Sequence, residues 1–178
     1  MGPILYYLFI KPLSLLPLRV LHGISTFLYF PIYYVFGIRK KVVFRNLNNS
    51  FPDKPPEEIE DIARKFYRHF CDIIVESLKL FSIYRDELVE RSKFVNPEVL
   101  TDYYEKGQSI LICAGHYNNW EIFAKSCNLQ MKHQAVGIYT PLGSAFFEKK
   151  FAESRGIHDV VLLPKREVKD YFAANKDL

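Results

Sequence analysis

The stretch "GQSILICAGHYNNWEIFAKSC", residues 107–127, decides how the rest of the sequence is interpreted. Its apolar run "SILIC" (109–113) is typical of a buried strand, and the small residues "AG" that follow favour a sharp turn. Asn118 or Asn119 can then cap a helix. The stretch therefore predicts a strand, a turn and a helix in succession, with polar side chains at the carboxyl end of the strand.

The same alternation of strand and helix continues along the chain. Strands are predicted at 109–113, 135–139 and 159–163, and helices at 119–128, 144–154 and 166–174. Strands that alternate with helices favour right-handed crossovers and a mainly parallel sheet with helices on both faces. The predicted fold class is therefore α/β.

Two further helices are predicted before this region. The first follows "NLNNSFPDKPPEE" with Asp53 as its N-cap, and apolar residues recur along it at three- and four-residue steps as far as Phe81. The second begins with Asn96 as N-cap and Pro97 at its first position, and it is expected to end at Gly107. Both lie between the N-terminal segment and the predicted sheet.

The N-terminal segment, residues 1–38, is almost entirely apolar or aromatic. Val20–Ile38 holds 19 residues without Lys, Arg, Asp or Glu. As a helix this run would extend about 28 Å, close to the hydrocarbon thickness of a bilayer of about 30 Å. Pro31 is expected to break or kink such a helix. Three interpretations are open: a kinked helix that spans the membrane, short helices that lie in the membrane interface, and a buried core helix.

A basic cluster, "RKKVVFRN" (39–46), follows this segment at once and contains no acidic residue. Such a cluster is typical of the cytoplasmic flank of a membrane segment and suits anionic headgroups, while an ordinary solvated turn is the alternative. We predict that residues 1–45 form a membrane-anchoring hydrophobic segment with a basic flank.

Composition narrows the classes of function. The net charge is only +4 over 178 residues, and no dense basic stripe interleaved with aromatic residues is present, so a nucleic-acid partner is not expected. The cysteines Cys71, Cys113 and Cys127 are too few and too scattered for a disulfide framework and are predicted to be reduced thiols. The sequence motifs of P-loop proteins, zinc proteases and serine esterases are absent.

His116 is the candidate catalytic residue, because it follows the first predicted strand at the edge where α/β proteins bind ligands. Glu121 lies in the first turns of the next helix, so a histidine in the turn can lean back towards it. Glu121 would then hold one imidazole nitrogen while the other takes a proton, as in a general base. The residues alone leave a structural His–Glu pair as an equal alternative, and Cys113 as an alternative nucleophile.

The motif "HYNNWE" (116–121) resembles the H-x4-D/E motif of the lysophospholipid acyltransferase superfamily. It is closer to the H-x-G-N-W-E form of the bacterial lipid A biosynthesis (lauroyl/myristoyl) acyltransferases. Asn118 stands where that family usually has glycine, and asparagine tolerates the left-handed conformation. Further blocks resemble the same family, including "RNLNNSFPDKPPEEIEDIARKFYRHFCDIIVES" (45–77) and "YTPLGSAFFEKKFAESRG" (139–156).

The resemblance implies a glycerolipid acyltransferase-like fold and direct acyl transfer without a metal or cofactor. It implies that His116 is the base that deprotonates an acceptor hydroxyl and that Glu121 orients it. Arg155 would be a substrate-binding cation for a phosphate or the reacting carbonyl, and Asn119 is the second candidate for substrate binding. The donor would be an acyl carrier protein thioester, and the acceptor a lipid A precursor at the cytoplasmic face of the inner membrane.

Members of that family continue past the length of this chain with another strand and further loops. We therefore expect residues 46–178 to be the N-terminal portion of an acyltransferase domain whose C-terminal part is missing. Another lipid acceptor, such as a lysophospholipid or an aminolipid, and a catalytically silent membrane-surface protein are the alternatives. Acyl-chain length and oligomeric state are left open.

Overall fold

The computed structural model describes residues 2–156 and 158–175, which are mostly helical and include one small sheet. The helices are α1 (Gly2–Leu5), α2 (Lys11–Leu15), α3 (Leu18–Phe30), α4 (Lys40–Ser50), α5 (Pro56–Lys79), α6 (Arg85–Arg91), α7 (Pro97–Glu105), α8 (Trp120–Gln130), α9 (Ala145–Gly156) and α10 (Val168–Ala174). Tyr6–Ile10 and Pro31–Val35 are π-helical turns, and Lys165–Glu167 is a 3-10 turn. The strands are β1 (Val136–Tyr139) and β2 (Val161–Pro164).

The chain divides into two compact units. We call Leu15–Lys79 the helical unit, and Met1–Ser14 together with Leu80–Leu178 the sheet unit. The helical unit runs across the boundary predicted at 45/46. The assignment of residues 1–45 to a membrane anchor and of 46–178 to part of an acyltransferase domain stays a prediction.

The core of the helical unit lies between α3, α5 and the turn that follows α3. Leu21 packs with Val75, and Tyr33 packs with Tyr67 and Cys71. The buried side chains of α5 recur at every fourth position over most of its length: Ile59, Ala63, Tyr67, Cys71, Val75 and Lys79. The helix inferred from apolar periodicity is therefore confirmed, because its buried side chains recur about once in every turn.

The start of α5 corrects one prediction. Asp53 does not cap the helix, which begins at Pro56. The Pro55 carbonyl accepts hydrogen bonds from the backbone N–H groups of Glu58 and Ile59, so Pro55 occupies the capping position. The two prolines shift the boundary because Pro56 is suited to the first helical position, where its missing N–H costs nothing.

The apolar N-terminal segment does not break at Pro31, because the chain stays helical to Val35. α3 ends at Phe30, and a π-helical turn begins at Pro31. No single helix in the described ranges has the length and apolar character needed to cross a membrane. Leu18–Val35 and Lys40–Ser50 satisfy that test only when taken together, with a bend of 89° between them.

The sheet unit contains two parallel strands paired from Val136 opposite Val161 to Tyr139 opposite Pro164. They fall within one or two residues of the runs predicted at 135–139 and 159–163. α8, α9 and α10 likewise correspond to the helices predicted at 119–128, 144–154 and 166–174. The coarse fold, helices combined with a parallel sheet, is thus confirmed.

The prediction of a first strand at 109–113 is wrong. These residues lie outside any helix or strand, and the Leu111 side chain is 85% exposed. An apolar run becomes a strand only when a neighbouring strand offers its backbone hydrogen bonds, and β1 pairs with β2. In the ranges 2–156 and 158–175 the predicted multi-stranded sheet is therefore reduced to two strands.

Candidate active site

The loop that carries His116 is shaped by two asparagines in the sheet unit. Asn118 adopts a left-handed backbone conformation with φ of 55°, the conformation expected where the related motif has glycine. Asn119 is the N-cap of α8, and its side-chain oxygen accepts a hydrogen bond of 3.4 Å from the backbone N–H of Ile122. The predicted cap is confirmed, and it places Glu121 in the first turn of α8. A substrate contact by Asn119 stays a prediction.

Glu121 and Arg155 form a two-pronged ion pair between α8 and the last turn of α9. Arg155 Nε lies 2.9 Å from Glu121 Oε2, and Arg155 Nη2 lies 2.6 Å from Oε1. The two side chains are 22–23% exposed, and the guanidinium also lies 5.3 Å from the ring centroid of Phe151. Two parallel charge-assisted bonds fix orientation as well as distance. The structure thus brings together two of the residues singled out by sequence.

His116 lies on the exposed side of this loop. Its ring meets the Trp120 ring edge to face, with 4.8 Å between centroids. Both oxygens of Glu121 are engaged by Arg155, and within the described ranges no hydrogen bond joins Glu121 to His116. The structure therefore does not place the imidazole on the carboxylate, and the His116–Glu121 relay stays a prediction.

Lys125, one turn after Glu121 on α8, was not anticipated from the sequence. Its side chain is 2% exposed, and its ammonium donates to the Leu80 carbonyl and, at 3.2 Å, to Ser154 Oγ. Ser154 also donates to the Leu80 carbonyl at 3.0 Å. Burial, together with the charge of Lys11, lowers the pKa of Lys125 to about 8. Nothing in the local pattern distinguishes this lysine from an exposed one.

Cys113 and Cys127 lie in different environments, and the environment of Cys113 is not the one predicted. Cys113 is exposed rather than buried in a strand, because the strand that would have enclosed it is absent. Cys127 in α8 is buried, and that burial raises its pKa to about 11. An accessible thiol leaves Cys113 open as the alternative nucleophile, whereas Cys127 stays protonated at neutral pH.

In the part of the chain that the structure describes, no group of three or more His, Cys, Asp or Glu side chains is placed to hold a metal ion. The candidate site contains an exposed imidazole, a carboxylate held by a guanidinium, and a buried ammonium one turn after that carboxylate. Side chains of these types can transfer protons and bind anionic groups.

Comparison with known proteins identifies one family. A family model described as bacterial lipid A biosynthesis acyltransferase matches residues 2–176. No curated protein and no solved structure matches the chain. The match covers both compact units and includes every candidate site residue.

Proposed function

Since the chain belongs to the bacterial lipid A biosynthesis acyltransferase family, we propose that it transfers a fatty acyl group from acyl carrier protein to a hydroxyl of a lipid A precursor. Family membership implies acyltransferase activity with an acyl donor and a lipid acceptor in general. The identity of the donor and of the acceptor belongs to the proposal. So does its location, at the cytoplasmic face of the inner membrane, which the apolar N-terminal segment and its basic flank support.

In the proposed reaction His116 is the general base. A ring nitrogen takes the proton of the acceptor hydroxyl as its oxygen forms a bond to the thioester carbonyl carbon. The carbon–sulfur bond then breaks, and the imidazolium returns the proton to the departing thiolate. The exposed position of His116 before α8 supports this role, because the ring is accessible to both substrates.

The observation that carries the proposal is the family match over residues 2–176. The ion pair between Glu121 and Arg155 involves a carboxylate five positions after His116 in the sequence. It also defines what must change on substrate binding. We propose that an anionic group of the substrate draws Arg155 away, after which a freed oxygen of Glu121 accepts the N–H of His116. The imidazolium that forms is then stabilised by a carboxylate no longer neutralised by the guanidinium.

Replacement of His116 tests this proposal. His116→Ala is expected to reduce acyl transfer by at least about 10²-fold, the scale usual for loss of a general base. His69→Ala is the matched control, because His69 is an exposed histidine on α5 and is expected to leave transfer unchanged. Transfer would be measured with acyl carrier protein thioesters and isolated membranes, and the acylated lipid would be identified by mass spectrometry. A lysophospholipid-derived or aminolipid-derived product would show that the proposed acceptor is wrong, but it would leave the proposed acyl transfer unchanged.

A second candidate is a catalytically silent membrane-surface protein. The observation that favours it is that Glu121 binds Arg155 and makes no hydrogen bond to His116 in the described ranges. In that case the ion pair only ties α8 to α9, and His116→Ala changes nothing that the transfer assay measures. Absence of transfer by the wild-type chain, together with normal folding, would favour this candidate.

A further inference from the structure

α8 and α9 share a second polar contact, which is more deeply buried than the ion pair of the candidate site. Lys125 of α8 is 2% exposed, and its ammonium donates a hydrogen bond of 3.2 Å to the hydroxyl oxygen of Ser154 on α9. Both side chains also donate to the carbonyl of Leu80, which precedes α6. We call Leu80, Lys125 and Ser154 the buried junction. It ties three segments of the sheet unit together at one point.

The buried junction lies next to the ion pair along both helices. Lys125 comes four positions after Glu121 on α8, and Ser154 directly precedes Arg155 on α9. Four positions correspond to about one helical turn, a rise of about 6 Å. α8 and α9 are therefore linked at two points, the ion pair and the junction. One contact lets two helices pivot about it, whereas two contacts about a turn apart also oppose rotation.

The two contacts differ in how substrate binding is proposed to affect them. In the proposed reaction an anionic group of the substrate draws Arg155 away from Glu121, and the ion pair opens. The three residues of the junction are each at most 7% exposed, so the substrate does not reach them. The junction can therefore keep α8 and α9 in place while the ion pair is open.

We propose that Lys125 is a positioning residue for acyl transfer. Through Ser154 it fixes the separation and rotation of α9 relative to α8. Arg155 can then move to the substrate while Glu121 stays within reach of His116. This inference rests on the proposed function for the reaction that the residue serves. It adds a residue that the motif resemblance does not include.

Stability alone does not favour a lysine at this position. Burial and the like charge of Lys11 lower the pKa of Lys125 to about 8. An apolar side chain of similar length would avoid the cost of burying an ammonium. It could not donate a hydrogen bond to Ser154, because only a polar side chain has a donor. The link between α8 and α9 is thus what the lysine contributes.

Lys79 in the helical unit offers a matched control. It is also buried, at 7% exposed, and its ammonium donates to the carbonyl of Leu16 at 3.2 Å. Lys79→Met therefore removes a buried ammonium and a bond to a carbonyl, as Lys125→Met does. It leaves the buried junction intact.

Acyl transfer by the full chain is the first test. Lys125→Met is expected to lower kcat/KM about tenfold, because a displacement of 1 Å caused far from the chemistry can cost up to about 10²-fold. Lys79→Met is expected to leave kcat/KM unchanged. Circular dichroism would confirm that both variants are folded, as expected for Lys125→Met because Ser154 keeps its bond of 3.0 Å to Leu80. No loss in Lys125→Met, or an equal loss in both variants, would overturn the inference.

A double-mutant cycle tests whether Lys125 acts through Arg155. Arg155→Gln removes the side chain that the junction is proposed to position. In that background Lys125→Met is expected to cause less than about twofold further loss, since two residues that act as one unit are not additive. A loss of about tenfold in both backgrounds would indicate a general effect on the fold and would contradict the inference.

A measurement without substrate separates this inference from the proposed function. The Nε–H of Arg155 donates to Glu121 at 2.9 Å, and its NMR signal, assigned by its absence in Arg155→Gln, reports that bond. Lys125→Met is expected to shift and broaden this signal, and Lys79→Met to leave it in place. An unchanged signal in Lys125→Met would overturn the inference. A shifted signal, together with no acyl transfer by the wild type, would support the positioning of Arg155 and count against the proposed function alone.

Discussion

The helical unit and the sheet unit differ in how completely they bury a charged side chain. On the surface of α5, Arg64 and Lys65 pair with acids one turn away, and only Lys79 at the end of that helix is buried, at 7% exposed. In the sheet unit Lys125 lies buried between α8 and α9, while the apolar Leu111 is exposed. Cations that stay at the surface are what stability alone favours. A buried lysine ammonium costs stability, and buried charged groups of this kind concentrate at functional sites.

The largest effect is expected in the core of the helical unit. Leu21 is fully buried and packs with Val75, so Leu21→Ala is expected to lower the free energy of unfolding by about 3 kcal/mol. Phe27→Ala on the same helix removes a side chain that is mostly exposed and is expected to change it by less than about 0.5 kcal/mol. Urea denaturation of both variants measures the difference. Equal losses would contradict the assignment of this core.

The next largest effect is expected for the ion pair between Glu121 and Arg155 in the sheet unit. It is measured as a change in acyl transfer and not in the free energy of unfolding. Arg155→Gln removes the cation that is proposed to bind the anionic group of the substrate, and although it also frees Glu121 it is expected to reduce acyl transfer by about 10²-fold. Arg155→Lys keeps the charge but not the two-pronged geometry, so we expect it to restore little of that activity. Transfer assays on folded variants give the comparison. Full activity of Arg155→Lys would show that charge alone is sufficient.

Replacement of Lys125 is expected to have a smaller effect on stability than Leu21→Ala, and to stabilise the fold instead of destabilising it. Its pKa of about 8 in the folded chain lies below that of the unfolded chain, 10.5. The unfolded chain therefore binds more protons between pH 8 and 10.5, so Lys125 makes stability rise with pH over that window. Below pH 8 the buried charge is destabilising, and Lys125→Met is expected to raise the free energy of unfolding at pH 7 by about 2 kcal/mol.

Denaturation of the wild type and of Lys125→Met at pH 7 and pH 9.5 measures this contribution. The difference between the two proteins isolates Lys125 from other groups that titrate in this range, such as Cys127. We expect the advantage of the variant to diminish at the higher pH. A variant that is less stable at both pH values would show that the bonds to Leu80 and Ser154 outweigh the cost of burial.

The smallest expected effect concerns the proposed donor, acyl carrier protein, which is acidic and would be attracted by cations of the sheet unit. Among these cations, Lys150 pairs with Glu153, Arg155 with Glu121, and Arg166 with Glu167. Lys149 and Lys165 are exposed and form no ion pair with a described residue. Lys149→Glu with Lys165→Glu is expected to slow transfer by about threefold to tenfold at low salt, and less at high salt. A rate indifferent to both changes would exclude this landing surface.

The parts of the fold that were predicted correctly are those with local causes. The apolar repeat of α5 and the cap at Asn119 each depend on residues within one or two turns. Helical hydrogen bonds join residues four positions apart, so neighbouring residues contain most of the information. The strand predicted at 109–113 failed because a strand requires a partner from elsewhere in the chain.

The candidate site also has features that the local sequence indicates and features that depend on distant residues. His116, Glu121 and Arg155 were recognisable from the sequence through motif resemblance, and residues 2–176 belong to the family that this resemblance named. The sequence did not indicate which side chain binds the Glu121 carboxylate. Arg155 lies 34 positions away, and the sequence predicted the nearer His116 as the partner. The burial of Lys125 was equally invisible.

The sequence by itself thus determined the family, the helices and the set of candidate residues, because each follows from short-range patterns. Only the tertiary structure decided that Arg155 holds Glu121, that Lys125 lies buried beside Ser154, and that Leu111 is exposed. The physical reason is that charge pairing and burial depend on which distant segments come together. Packing among helices and strands sets those distances, and no local pattern encodes them.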